Sequence, residues 1–380
     1  MSHLFRRFIL PVICLFWITY SSVYAQAPDS VRYGLLPSLS FNSDTRINVA
    51  FDLLRFNYGQ GQVPFKNFGT YRVSYNGLGA FSAGFQVDQV RTFGTDIRSF
   101  TDGLVIRNDG NYFLGNTLDQ PFSRALFDTT SFYQFRSFLL NLGVSTRIPI
   151  GDVEGIKRTD IKIGARVVHE QPFDLESNSF FAVNRPTGVD GATISFLETA
   201  YIVERRDSEF RARTGYYGEI GLKLGLPVIS TQTIAALYGD LRLYQKIIDK
   251  GDVPQISFAQ RIRFDHTFGD LPYWFTPSLG GAGGLRGFIW RRFSADNAFL
   301  SITEIRTWLV KLPIRDIRLG LNGFIDAGSV YNRSFTDWDP RVTYGFGGFL
   351  SSRNRDFILK YEIGFSEEGS AIYIGTGYSF

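Results

Sequence analysis

The residues with most to offer chemically lie in one stretch, Gly280-Gly281-Ala282-Gly283-Gly284-Leu285-Arg286-Gly287-Phe288, within a long segment from about Phe268 to Asn297. An arginine among glycines can carry a planar, permanently charged fork up to a carboxylate or phosphate. The glycines are not followed by the Lys-Ser/Thr of a phosphate-binding loop, so nucleotide chemistry is not indicated. The three histidines, His3, His169 and His266, form no group with metal-ligand spacing. No serine sits in a nucleophile-elbow context. The expectation is therefore no catalytic residue, no metal site, no cofactor and no enzymatic activity.

The elements that must position these residues are strands. In Phe357-Ile358-Leu359-Lys360-Tyr361-Glu362-Ile363-Gly364-Phe365 every odd position is bulky and apolar, while Lys360, Glu362 and Gly364 fall on even ones. Successive strand side chains point to opposite faces, so such a segment has one apolar and one polar face. The same alternation runs through Ile47, Val49, Phe51 and Leu53, through Ile161, Ile163 and Val167, and through Ile220, Leu222 and Leu224. It predicts roughly sixteen strands, near 33–41, 46–57, 68–76, 80–90, 98–107, 132–148, 160–170, 193–206, 214–226, 233–246, 255–267, 298–310, 315–331, 341–351, 356–366 and 371–380. A soluble β-sandwich also alternates, but this many long strands would leave edges to protect. With 37 Phe, 19 Tyr, 39 Gly and 1 Met, the composition suits an antiparallel transmembrane β-barrel, apolar outside and polar inside.

Compartment follows from the first 25 residues. Arg6 and Arg7 precede an apolar run from Phe8 to Tyr20, and Val23-Tyr24-Ala25 fits a cleavage site. This predicts a signal peptide over 1–25 and an exported barrel over 26–380. A run of that length is too short to cross ~30 Å of hydrocarbon as a helix. The only cysteine, Cys14, lies inside it, so no disulfide is expected. A net charge of +4, with the charges spread along the chain, gives no reason to expect nucleic acid as a partner.

Two resemblances add to this reading. The end of the chain, Ala371 to Phe380, with Gly375, Tyr378 and the terminal Phe380, resembles the C-terminal assembly signal of bacterial outer-membrane barrels. The Leu285-Arg286-Gly287-Phe288 stretch resembles the Arg-Gly-Phe/Tyr motif of the BamA/TamA superfamily of outer-membrane insertases and translocases, the bacterial surface antigen family. Glu304-Ile305-Arg306 is similar to that family's Glu-x-Arg. Phe324-Ile325-Asp326-Ala327-Gly328-Ser329-Val330-Tyr331 is similar to its Phe-x-Asp-x-Gly strand.

The likeness is close over the last ~115 residues and loose at Leu36 to Phe41. It implies a motif loop folded back into the lumen, held by Glu304, Arg306, Asp326 and Gly328 on the wall, with Arg286 against Asp326. It also implies an outer-membrane location among membrane lipids and a role in assembling, inserting or translocating proteins or lipids. The alternative is a passive channel or a platform for an accessory protein. Family members usually carry periplasmic domains before the barrel. Here the first strand begins within about ten residues of the predicted cut, so a barrel-only member is expected. Client polypeptides would then be captured by the barrel itself or by a separately encoded periplasmic or lipoprotein partner.

Two local points stay open. Asp326 shares the inward parity of Arg318 and Asn322, where it either meets a cation or faces water. Leu300 and Ile302 share parity with Glu304 and Arg306, which requires either a bulge or apolar packing from inside the barrel.

Overall fold

The computed structural model describes residues 31–59, 65–116, 122–209, 211–227, 229–251, 253–313, 317–352 and 354–380. The predicted signal peptide lies outside them. The alternating segments pair into a closed, wholly antiparallel barrel of sixteen strands. In chain order the strands are β1 (Val31–Asn42), β2 (Arg46–Asn57), β3 (Asn67–Asn76), β4 (Ala80–Gln89), β5 (Arg98–Tyr112), β6 (Gln134–Pro149), β7 (Arg158–Phe173), β8 (Ala192–Glu204), β9 (Gly215–Gly225), β10 (Ile234–Asp249) and β11 (Gln255–Gly269). After β11 come two short strands outside the barrel, β12 (Ser278–Leu279) and β13 (Phe293–Ser294), paired only with each other. The wall resumes with β14 (Asn297–Leu312), β15 (Ile317–Tyr331), β16 (Arg341–Ser352), β17 (Asn354–Ser366) and β18 (Gly369–Thr376).

The alternation does what period two demands. On β15, Leu319, Leu321 and Ile325 are exposed on the outer wall, while Arg318, Asn322 and Asp326 are buried inside. Charges directed inward are paired across the lumen wall, as in Asp52–Arg72, Asp88–Arg98, Asp102–Arg166 and Glu198–Lys162. The apolar outside and ion-paired inside suit a wall facing hydrocarbon.

Two strand ends differ from the sequence expectation by four residues or more. The fifth strand runs on to Tyr112 rather than stopping at 107, because a register shift between Asn108 and Asn111 lets it keep pairing with β6. The last strand stops at Thr376 rather than reaching 380. Gly377 adopts φ +78°, open to glycine and costly for other residues, and there the chain leaves the wall.

With an even strand count the start of β1 and the end of β18 lie at one rim. At the opposite rim the connections are longer and aromatic. The segment 113–133 carries α1 (Arg124–Thr129), and 174–191 carries α2 (Phe180–Asn184). Each helix is N-capped by a serine, Ser123 accepting from Leu126 N and Ser179 from Ala182 N. Phe181 stacks on Phe135 with ring centroids 4.0 Å apart, and Tyr273 meets both edge-on. Tyr273 also donates its hydroxyl to Glu170 of β7 at 2.7 Å. This aromatic cover fixes the start of the long β11–β14 loop.

The closure of the barrel is uneven. Neighbouring strands elsewhere share between eight and fifteen paired positions. β1 and β18 share two, Phe41 with Ile374 and Asn42 with Tyr373. Ser43 adds a short clasp, its N donating to Ile372 O and its Oγ accepting from Ile372 N.

Candidate functional site

The β11–β14 loop turns into the lumen. Gly280 and Gly281 take φ of +117° and +76°, and a Cβ on Gly280 would lie 2.1 Å from Ile289 O. Only glycine allows the loop to double back so closely. Leu279, Leu285, Phe288 and Phe293 then pack onto Ala298, Leu300, Ile302 and Val330 of the inner wall. This decides the parity question on β14: its pairing with β11 is continuous from Asn297 to Trp308, so no bulge lies there and Leu300 and Ile302 are covered from inside. Gly284 keeps the loop narrow, since a Cβ there would lie 2.9 Å from Gly280 N. Gly328 leaves room for the loop on β15, because a Cβ would come within 2.9 Å of Leu279 Cδ1.

Arg286 ends up with none of its surface accessible. Its Nε and Nη2 donate to the two oxygens of Asp326 at 2.8 and 2.6 Å, and its backbone N donates to Asp326 Oδ2 at 3.1 Å. Nη1 donates to Glu304 Oε1 (2.7 Å), Ser379 Oγ (3.0 Å) and Glu362 Oε1 (3.3 Å). The guanidinium lies 3.4 Å from the centre of the Phe324 ring. Bidentate pairing plus a ring face is what distinguishes arginine from lysine at such a site. Arg306 donates to Glu304 Oε2 (2.7 Å), and Lys360 lies 3.3 Å from Glu362 Oε2. Three cations thus meet three side-chain carboxylates, so each of these buried charges has a counter-charge beside it.

Glycines bring the backbones together. Gly287 has φ +108°, and a Cβ there would lie 2.8 Å from Phe365 C. A Cβ on Gly364 would lie 2.7 Å from Arg286 C. The loop backbone therefore rests directly on β17. Gly287 N donates to Tyr373 Oη (3.1 Å), and Ser366 Oγ donates to Gly287 O (3.0 Å).

The chain end joins the same site. The expectation that Tyr378 and Phe380 close the last wall strand is corrected: both turn into the lumen beyond Gly377. Trp308 Nε1 donates to Tyr378 Oη at 2.9 Å, and Arg306 Nη2 to Phe380 O at 3.2 Å. Arg306 lies over the Tyr378 and Phe380 rings at 4.3 and 4.6 Å. A buried cation and an indole N–H supply better partners for these groups than the wall would. Gly375 remains on β18, with open space where a Cβ would stand.

The loop also reaches both sides of the seam. Trp290 N donates to Asp44 Oδ1 (3.0 Å) in the β1–β2 turn, and Arg292 Nε donates to Glu368 Oε1 (2.7 Å) in the β17–β18 turn. Burial pushes the Asp44 carboxyl up to about 6, against the lowering effect of the Trp290 N–H and of Arg124.

All the residues singled out on the motif loop, on β14 and on β15 therefore converge. Glu362, Lys360, Ser379 and Tyr373 were not singled out. The alternation over 357–365 does place Lys360 and Glu362 inward, so a search for further carboxylates on inward faces would have found Glu362.

A sixteen-stranded, membrane-type barrel with an arginine-pinned loop in its lumen defines the class. The chain belongs to the Omp85 superfamily: residues 69–354 match the Omp85 superfamily domain. Among solved structures it is similar to BamA from Haemophilus ducreyi lacking POTRA domains 1–3, at 13% identity and a TM-score of 0.61, over 93% of this chain and 71% of that one. It is also similar to CdiB from Acinetobacter baumannii (15%, TM-score 0.60, 93% of this chain and 61% of that one). CdiB from Escherichia coli is comparable (12%, TM-score 0.58, 94% and 64%). No curated protein matches the sequence.

Proposed function

We propose that this barrel takes part in the assembly, insertion or translocation of proteins, or of lipids, at the outer membrane, and that it works at the seam between β1 and β18. The observation that carries the reading is the short pairing there, bridged at one rim by the lumen loop through Asp44 and Glu368. β1 runs from Val31, yet its pairing with β18 covers only Phe41 and Asn42. Backbone groups short of partners within a membrane are costly, and an incoming strand can supply them. The partners in this reading are surrounding lipids, client polypeptides and a separately encoded periplasmic or lipoprotein component.

The test is to lock the seam. Phe41 and Ile374 are directly paired, so Phe41→Cys with Ile374→Cys places two thiols within disulfide reach. Oxidation should lower the outer-membrane or exported level of client proteins in the native host, and reductant should restore it. Undiminished levels with the seam fully cross-linked would refute the reading and leave the passive-channel alternative.

A further inference from the structure

We propose that the outer wall carries a binding site for one glycerophospholipid, with an acyl chain in a groove over Gly218 and the phosphate on Arg205. On most of the wall each outward position holds a side chain. Where an outward glycine interrupts the row, an aromatic ring fills the gap: Phe85 lies over Gly103, Phe264 over Gly239 and Tyr361 over Gly348, each ring within 2.6 Å of where a Cβ would stand. Such covering is a known way of making good a bare glycine in a sheet.

Gly218 has no such cover. A Cβ there would meet only Leu241 Cδ2, at an ordinary 3.4 Å. Gly323 is equally bare; Gly218 is in addition bracketed by a groove of about 480 Å³, walled by Tyr201, Val203, Tyr216, Ile220, Leu241 and Leu243. Inside a membrane, lipid tails are as apolar as these residues. Preference for one lipid must therefore come from close packing and polar pairing. The groove offers the packing.

Arg205 offers the pairing. It follows the last residue of β8, and its backbone N donates to Tyr216 O across the ladder. Its side chain lies on the outer face, Nη2 donating to Thr159 Oγ1 (2.9 Å) and Nη1 to Arg158 O and Glu204 O (2.8 Å each). Among the described residues these partners are all uncharged oxygens. The fixed guanidinium therefore keeps its charge for an anion, and arginine suits a phosphate in particular. Val203 pairs with Gly218, so Arg205 stands two residues toward the rim, roughly 7 Å from the groove floor. Phosphate at the strand end and the first methylenes one step inward is the arrangement of a membrane lipid.

The test is native mass spectrometry of the intact barrel in detergent, titrated with dioleoyl phosphatidylglycerol. Heat-shifted gel migration serves to show that each variant is folded. Wild type should bind one phosphatidylglycerol at least tenfold more tightly than either Gly218→Leu or Arg205→Gln. Gly218→Ala should lie between, and Arg205→Lys should recover part of the loss. Dioleoylglycerol, which lacks the phosphate, should bind wild type no better than phosphatidylglycerol binds Arg205→Gln. Glycerol 3-phosphate at millimolar concentration should not compete. Equal binding by all folded variants would overturn the proposal, as would dioleoylglycerol matching phosphatidylglycerol or competition by glycerol 3-phosphate. A dimer that Gly218→Leu abolishes would assign the groove to a second copy instead.

Discussion

Replacing Arg286 with methionine removes the cation on which three carboxylates converge while leaving a side chain of similar length. Asp326 loses both charge-assisted bonds, and Glu304 and Glu362 each lose one. Arg306 and Lys360 remain, so three side-chain carboxylates are left with two cations. Leaving a buried charge without its partner costs about 3–5 kcal/mol. At one decade per 1.4 kcal/mol this is roughly a 10²- to 4 × 10³-fold rise in the population of the undocked loop. The loop does not depend on charge alone. Leu279, Leu285, Phe288 and Phe293 are buried against the wall, and each such side chain contributes about 1.5–3 kcal/mol. Their sum exceeds the loss of the ion pairs, so Arg286→Met should leave the loop docked most of the time.

The expected phenotype is therefore kinetic. Proteolysis between Phe268 and Asn297 should accelerate by about two to three and a half decades, because cleavage follows the open population. Bilayer recordings should show brief openings over an unchanged baseline. Charge reversal is a poor test of the pair, because a glutamate at 286 would still face Glu304 and Glu362. Arg286→Met, Asp326→Leu and the double variant form the better cycle. Residues in such contact should show a coupling of about 1–3 kcal/mol, whereas independent sites add within about 0.5 kcal/mol. Additive effects on cleavage would refute the pinned-loop account.

Gly287→Ala and Gly364→Ala should each increase loop cleavage without touching a charge, since the new methyl would press on Phe365 or on the Arg286 backbone. Removing Tyr378–Phe380 should free Trp308 and Arg306, seen as a shift in tryptophan emission and faster cleavage of the loop. The Asp44 carboxyl, raised by burial from the ordinary aspartate value of 3.8 to about 6, favours the folded state fully only below about 4. That contribution, up to about 3 kcal/mol, is lost as pH rises through 6. Thermal stability should fall over this range in wild type and stay flat in Asp44→Asn. Unheated and heated samples should migrate differently in detergent gels, and identical migration would contradict a closed barrel. Mass spectrometry of the membrane-extracted protein should find Gln26 at the N-terminus.

How much of this was legible in the sequence depends on the kind of contact. The wall was readable because a strand pointing one side chain to hydrocarbon and the next to the lumen writes its geometry into every second residue, as Leu319, Leu321 and Ile325 do against Arg318, Asn322 and Asp326. The docked arginine was readable only through resemblance, because nothing in the spacing of Arg286 and Asp326, forty residues apart, says that they touch. What the alternation leaves open or misses lies where wall logic stops applying. Leu300 and Ile302 are apolar on an inward face, and that exception to the period is itself the trace of a loop pressed against them. Tyr378 and Phe380 keep the parity of a strand, yet Gly377 frees the backbone and Arg306 and Trp308 draw the end inward. The period is blind to this, since it records which face a residue would take on a strand and not whether the strand persists. In a barrel of this kind, apolar residues with inward parity therefore point to the interior binding partner more directly than its charged residues do.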